Sequence, residues 1–283
     1  MGIKILTDRI VDLSDDELSE LGIDTISCYI NLGDKSYDDM INVFPEDIFA
    51  YMDKSGKVAQ TAAKGPALYS EFFAKYVDKG DTVIFFSVSS GVSVIHENAT
   101  AAAKDFPGKV FILDTKLLSN GMALLVKYAL RLIQDGETDP LEIIEKVKLK
   151  IPKVQGSFLL ETLDCLHKGG RCSGMTYYAA NILMIKPVIY MNEAGIMVVR
   201  EKHRGVQKVA LKRYVKTTFE KYPNPDLSQL YVAYTLYNKD TLDYVVDLVK
   251  KYHNFENITF NQGSCNSSVH SGRNAIALFY LCK

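Results

Sequence analysis

The sequence predicts an α/β protein of two lobes, and three observations carry that prediction. At 283 residues the chain is longer than one hydrophobic core usually fills, so two units of roughly 100 to 150 residues are expected. The first half alternates short apolar β-type runs with amphipathic helical segments, the pattern of a parallel sheet covered by helices. The second half has a different grammar, with a hairpin signature among its strands and helices that points to a mixed sheet. The passage Ile151-Pro-Lys-Val-Gln-Gly156 divides the two, giving an N-terminal unit over 1–156 and a C-terminal unit over 157–283.

In the N-terminal unit, strands are expected over 3–7, 25–31, 57–60, 82–86 and 109–113. Helix starts are marked between them: Ser14 stands ahead of Asp-Asp-Glu, Pro45 and Pro66 occupy first turns where a missing N–H leaves nothing unpaired, and Ser93 precedes His-Glu-Asn-Ala. A long helical region over 116–134 and a second helix over 140–149 close this half. The C-terminal unit opens with a strand over 157–161, a helix, the turn Lys168-Gly-Gly-Arg171 and another helix running to Met184. A hairpin follows, 187–191 with 196–200, turning at Asn192-Glu-Ala-Gly195. Then come a helix over 206–221, a strand over 230–236, a helix over 241–252, a strand over 257–260, a polar loop and a last strand over 275–281.

Composition removes several function classes. Hydrophobic residues at 47% and charged residues at 24% describe a folded chain with enough apolar material for real cores. A formal net charge of -1 leaves no basic excess to meet a phosphate backbone, which sets nucleic acid aside. The five cysteines, Cys28, Cys165, Cys172, Cys265 and Cys282, are odd in number and form no CxxC pair, so reduced thiols are expected rather than a disulfide framework or a zinc site. No GxxxxGK[ST] or GxGxxG occurs, and Ser93 lacks the second glycine of a nucleophile elbow. His96, His203 and His253 have no partners at metal spacing and read as surface or packing residues, so no metal is implied. The start of the chain has no signal-peptide core, and the longest apolar run, 179–191, is broken by Lys186-Pro187. A cytoplasmic protein is therefore expected.

Four constellations remain as candidate chemistry. Ser89-Ser-Gly-Val-Ser93 leaves a strand and enters a helix, where unpaired N–H groups and the helix dipole suit an anion. No Lys or Arg follows, and Val92, Val94 and Ile95 set apolar surface beside the hydroxyls. The fitting ligand has a small anionic end and a large apolar body. Gln60-Thr-Ala-Ala-Lys-Gly-Pro66 places Thr61 at the edge of a neighbouring strand, although hydroxyls in either loop also serve as ordinary helix caps. His167-Lys-Gly-Gly-Arg-Cys-Ser-Gly174 is a basic turn whose Arg171 offers a planar fork for carboxylate or phosphate, or else neutralises a helix end. Gly263 to Asn274 is a polar loop carrying His270 and Arg273.

These motifs together resemble the DegV family, bacterial fatty-acid-binding proteins that include the binding subunits of fatty acid kinase. The likeness runs through Ile5-Leu-Thr-Asp8 with Val11-Asp-Leu13, Thr61, Ser89-Ser-Gly-Val-Ser93, Asp114-Thr115, Leu163-Asp-Cys-Leu-His-Lys-Gly-Gly-Arg171, Ile185-Lys-Pro187 and Val269-His-Ser-Gly272. The resemblance implies an α/β lobe at each end with one long-chain fatty acid between them, its carboxylate held by Thr61 and Ser93 and its acyl chain in a tunnel. It implies a carrier without a cofactor rather than an enzyme. A separate ATP-dependent kinase would form the acyl-phosphate for phospholipid synthesis, with transient contact to a membrane surface or acyltransferase. Arg171 and His270 would lie near the head group, where transfer or docking occurs. The alternative is a phosphoryl- or acyl-transfer enzyme using Arg171 and His270 in the same cleft. The chain departs from the family pattern at Arg9, at Ala62, at Val94-Ile95 and at Arg273-Asn274, where Ser, Ser, Gly-Thr and Pro-Gly are usual.

Overall fold

The computed structural model describes residues 2–171 and 184–283. Its first half runs β1 (Ile3–Asp8), α1 (Asp15–Leu21), β2 (Asp24–Ile26), β3 (Tyr29–Leu32), β4 (Lys35–Asp38), α2 (Pro45–Ser55), β5 (Gln60–Ala62), α3 (Pro66–Val77), β6 (Thr82–Ser87), α4 (Ile95–Ala103), β7 (Val110–Asp114), α5 (Asn120–Gln134) and α6 (Pro140–Lys148). The second half runs β8 (Val154–Leu159), α7 (Asp164–Lys168), β9 (Ile185–Met191), β10 (Met197–Arg204), α8 (Gln207–Lys221), β11 (Leu230–Tyr234), α9 (Lys239–Val249), β12 (Ile258–Gln262), α10 (Cys265–Ser271) and β13 (Ile276–Leu281).

The fold is two α/β domains, a parallel sheet first and a mixed sheet second, as the sequence predicts. The first sheet has the order β2-β1-β6-β7 and every pair in it is parallel. Val83 to Phe86 are buried on both faces, which is why this strand reads as a continuous apolar run instead of alternating. The second sheet has the order β10-β9-β8-β13-β11-β12, antiparallel except where β11 meets β12.

Between the sheets lies α5, which buries Met122, Ala123, Leu125 and Val126 and contacts β1 on one side and β8 and β13 on the other. One apolar cluster therefore joins Phe85 of the first sheet to Phe158 and Phe279 of the second. A second cluster fills the far face of the mixed sheet beneath α8 and α9, around Tyr214, Phe219 and Val245.

Several elements differ from the sequence prediction. The run 25–31 is not one strand: β2 joins the parallel sheet, and after Ser27-Cys28 the chain turns away so that β3 pairs antiparallel with β4 and β5. The strand expected over 57–60 is displaced to β5 in this small third sheet. The helix expected from 116 begins only at Asn120, because Lys116 and Ser119 hold φ of 56° and 54°. The polar loop before the last strand contains α10. The helix expected after Arg171, Cys172 and the first part of the apolar run 179–191 lie outside the described residues. Among the described residues, Cys28, Cys165, Cys265 and Cys282 are free thiols, and no helix is long and apolar enough to cross a membrane.

Candidate functional site

The carboxyl ends of β1 and β6 open toward the second domain, the edge at which open α/β sheets collect ligands. Asp8, the last residue of β1, is wholly buried and accepts hydrogen bonds from Val88 N at 2.7 Å and Ile10 N at 3.1 Å. Burial raises its carboxyl to about 7. This bond fixes where the serine loop leaves β6. Ser89 Oγ then donates to Gly195 O at 2.7 Å and accepts from Gly91 N at 3.1 Å. Gly195 is the turn of the β9–β10 hairpin, and a Cβ on Gly91 would collide with its carbonyl. Backbone touches backbone here, so the second domain's hairpin sits directly on the first domain's loop.

Ser93 ends that loop half-buried, and its Oγ accepts from Ile95 N at 3.3 Å at the start of α4. The hydroxyl proton is thereby left for a ligand. Thr61 lies on β5, paired opposite Ile30, and its Oγ1 is 3.0 Å from Nε2 of His270. Burial first, and the charge of Arg171 second, push the His270 imidazole down to about 3, so the ring is neutral at physiological pH. Its Nδ1 is buried and has no hydrogen-bond partner among the described residues. A Cβ on Gly169 would lie 2.5 Å from that nitrogen, which explains a glycine in the basic turn: only bare backbone fits against the ring. Arg171 donates from Nη1 to Gly169 O at 2.7 Å and from Nε to Val92 O at 3.3 Å, tying the turn to the serine loop.

Thr61, Ser93, Arg171 and His270 line a single cavity, although they come from four separate stretches of chain. Its free space, counting the part open to solvent, is about 870 Å³. Val88, Leu118, Phe158, Leu166, Met197 and Phe279 supply apolar walls from both domains. A mouth of mixed character adjoins it, where Ser90, His96, Glu97 and Arg171 stand beside Val92, Val94, Ile196 and Met197. His96 is half-buried at this surface pocket, and its Nδ1 lies 3.0 Å from Ser87 Oγ. His253 does pack, at 4.9 Å from the Phe219 ring.

Sequence reasoning missed what holds His270 in place. Asp39 accepts from Cys265 N at 2.9 Å and Asn266 N at 3.2 Å, and Asp12 accepts from Ser264 N at 2.8 Å and Ser267 Oγ at 2.7 Å. Two buried carboxyls of the first domain thus cap α10 of the second. Burial raises both, Asp39 to about 6. Asp12 sits inside the Val11-Asp-Leu13 stretch, but nothing local in Asp38-Asp39 signals a partner 226 positions away.

A family model described as an uncharacterised protein of the DegV family matches residues 2–283. A DegV domain-containing protein of Clostridium acetobutylicum is 28% identical over 283 residues, covering 99% of each chain. Among solved structures, a DegV family protein from Thermus thermophilus described by its fatty acid binding superposes with a TM-score of 0.91 at 21% identity, over 100% of both chains. A DegV family protein from Ruminococcus gnavus, described with vaccenic acid, superposes at 0.87 with 21% identity over 99% of both. At such identity the structural likeness is one of fold.

Proposed function

The chain belongs to the DegV family, and from that premise we propose that it holds a long-chain fatty acid between its two domains. The carboxylate would meet Thr61 and Ser93, and the hydrocarbon would fill the apolar chamber. One observation carries the reading: hydroxyl and basic groups from both domains line the same cavity as Phe158, Leu166 and Phe279. In this assignment residues 1–156 supply the carboxylate loops and residues 157–283 a share of the tunnel.

The energetics are consistent with it. Each buried methylene contributes about 0.8 kcal/mol, so a long chain gains roughly 10 kcal/mol against association costs of about 4 to 15 kcal/mol. Hydrogen bonds to a charged head group add about 1.5 to 3 kcal/mol each. The tail supplies most of the affinity, and the hydroxyls decide which end faces the opening. A neutral His270 suits a carboxylate that must later react, because a tight cationic clamp would favour the ground state over transfer. The protein would act in the cytoplasm as a carrier without a cofactor of its own, presenting the acid to an ATP-dependent fatty acid kinase for acyl-phosphate formation. Arg171, at the mouth, would serve that transfer, with later contact to an acyltransferase or membrane surface.

Organic extraction of the purified protein with mass analysis, followed by titration with palmitate and oleate, tests the reading. A co-purified fatty acid and saturable binding support it. Absence of both ends it, and turnover by the isolated chain would replace it with the transfer-enzyme alternative. Ser93→Ala is expected to weaken retention by roughly tenfold or more, the value of one charged hydrogen bond. Arg171→Ala should impair transfer to the kinase far more than retention.

A further inference from the structure

Resting on the fatty-acid reading, we infer that the acyl chain this cleft prefers carries a hydroxyl group a few carbons from its carboxylate, received by Asn266. The cavity has two unlike walls. One is apolar, with Val88, Leu118, Phe158 and Phe279. The other is the face of α10, where Asn266, Ser267, His270 and Ser271 all line the space, joined by Asp12.

Helical spacing orders that face. Asn266 and His270 are four residues apart and so lie on one side of the helix, separated by about 6 Å along its axis. His270 marks the head-group end, since its ring meets Thr61 at 3.0 Å. The mouth is lined by Ser93 and Arg171 and by no residue of α10, so an acyl chain that enters there and runs along the helix past His270 would meet Asn266 next. The Asn266 backbone N–H is committed to Asp39 at 3.2 Å. Its side-chain amide makes no hydrogen bond among the described residues, and it is half-buried on the cavity.

A plain hydrocarbon laid along this wall would cover an amide with methylenes, and an unpaired buried polar group costs about 1 to 3 kcal/mol. A hydroxyl both donates and accepts, so it matches the amide oxygen and NH2 together. Sites built to pair with a substrate hydroxyl also reject the analogue that lacks it, because their own polar group is then stranded. The rival occupant is an ordered water trapped against Asn266, which would satisfy the amide beside an unsubstituted chain.

Titration of the delipidated full chain with hexadecanoic and 3-hydroxyhexadecanoic acids decides between them, with octadecanoic and 12-hydroxyoctadecanoic acids as a positional control. The 3-hydroxy acid is expected to bind roughly tenfold tighter than its parent, and the 12-hydroxy acid no tighter than its own. Asn266→Leu should invert the first ratio, lowering affinity for the hydroxy acid and raising it for the parent. Equal or weaker binding of the 3-hydroxy acid, with hexadecanoic acid still bound, overturns the hydroxyl inference and leaves the fatty-acid reading standing. An equal gain for the 12-hydroxy acid, or an unchanged ratio in Asn266→Leu, also overturns it. If no acid of either kind binds, both readings fail.

Discussion

β6 carries the serine loop and α10 carries His270, and different forces hold the two elements. In β6, Val83, Ile84, Phe85 and Phe86 are each 0% exposed, and the Phe85 ring meets Tyr69 at 5.7 Å and Phe73 at 5.5 Å. Its place follows from apolar burial on both faces. By contrast, α10 has seven residues, too few to be stable as a helix alone. Its start is anchored by the carboxyls of Asp12 and Asp39. Apolar burial therefore dominates one side, where Asp8 holds only the Val88 N–H beyond the strand, and carboxyl groups anchor the start of the other. The α10 wall of the cavity therefore answers to the protonation of Asp12 and Asp39, the two buried acids that hold its start.

The hardest test of the apolar side is Phe85→Ala. Removing a fully buried ring should cost about 3 to 5 kcal/mol, read as a lower urea midpoint with an unchanged slope. A loss below 1 kcal/mol would mean that packing does not place the serine loop.

On the charged side, Asp39→Ala strands the N–H groups of Cys265 and Asn266 and should cost about 1 to 3 kcal/mol. Ligand retention should fall with it, since α10 carries His270. The charge also leaves a pH signature. Asp39 and Asp8 are raised to about 6 and about 7 from 3.8, so the folded chain binds these protons more tightly than the unfolded one. Their contribution to stability is complete below pH 4 and is lost as pH rises through 6 to 7. Burial lowers His203, His253 and His270, and these lose stability in the opposite direction, as pH falls through 6.5. Subtracting the profile of Asp39→Asn from that of the wild type cancels the histidines. The difference should slope downward between pH 4 and 6, and a flat difference would remove Asp39 as the charge-sensitive anchor.

The same contrast explains what could be read from the chain. Strand β6 is legible because burial on two faces writes an unbroken apolar run into consecutive residues, β1 and β7 are legible from shorter apolar stretches at Ile5-Leu6 and Val110 to Leu113, and the β9–β10 turn is legible because Gly195 holds φ of 74°. Thr61, Ser93, Arg171 and His270 were recognisable as candidates, and the fold brings all four to one cavity. The break at Ser27-Cys28 was not legible. Thr25 to Asn31 is apolar enough for one strand, and only pairing with β4 and β5 draws its second half into another sheet. Nor was α10, because Ser264 to Ser268 has weak helical propensity and its stability comes from carboxyls on a different domain. Information of that kind resides in contacts, not in any window of sequence.

The smallest expected effect lies where the two regions meet. Ser89, in the loop that follows β6, donates to Gly195 O at 2.7 Å and so holds the hairpin of the second domain over the mouth. Ser89→Ala removes two neutral hydrogen bonds, but Gly91 is exposed and its N–H can turn to water; Phe85 and the Asp39 anchor are untouched, so stability should fall by only about 0.5 to 1.5 kcal/mol. Ile196 and Met197 of the same hairpin line the mouth, however, and loosening it should speed the release of bound palmitate more than it lowers the unfolding midpoint. Stopped-flow transfer of palmitate to acceptor vesicles, set beside urea unfolding of the same variant, separates the two. An unchanged release rate would show that the hairpin rests on the serine loop without guarding the cleft, and that exchange is governed by the α10 wall instead.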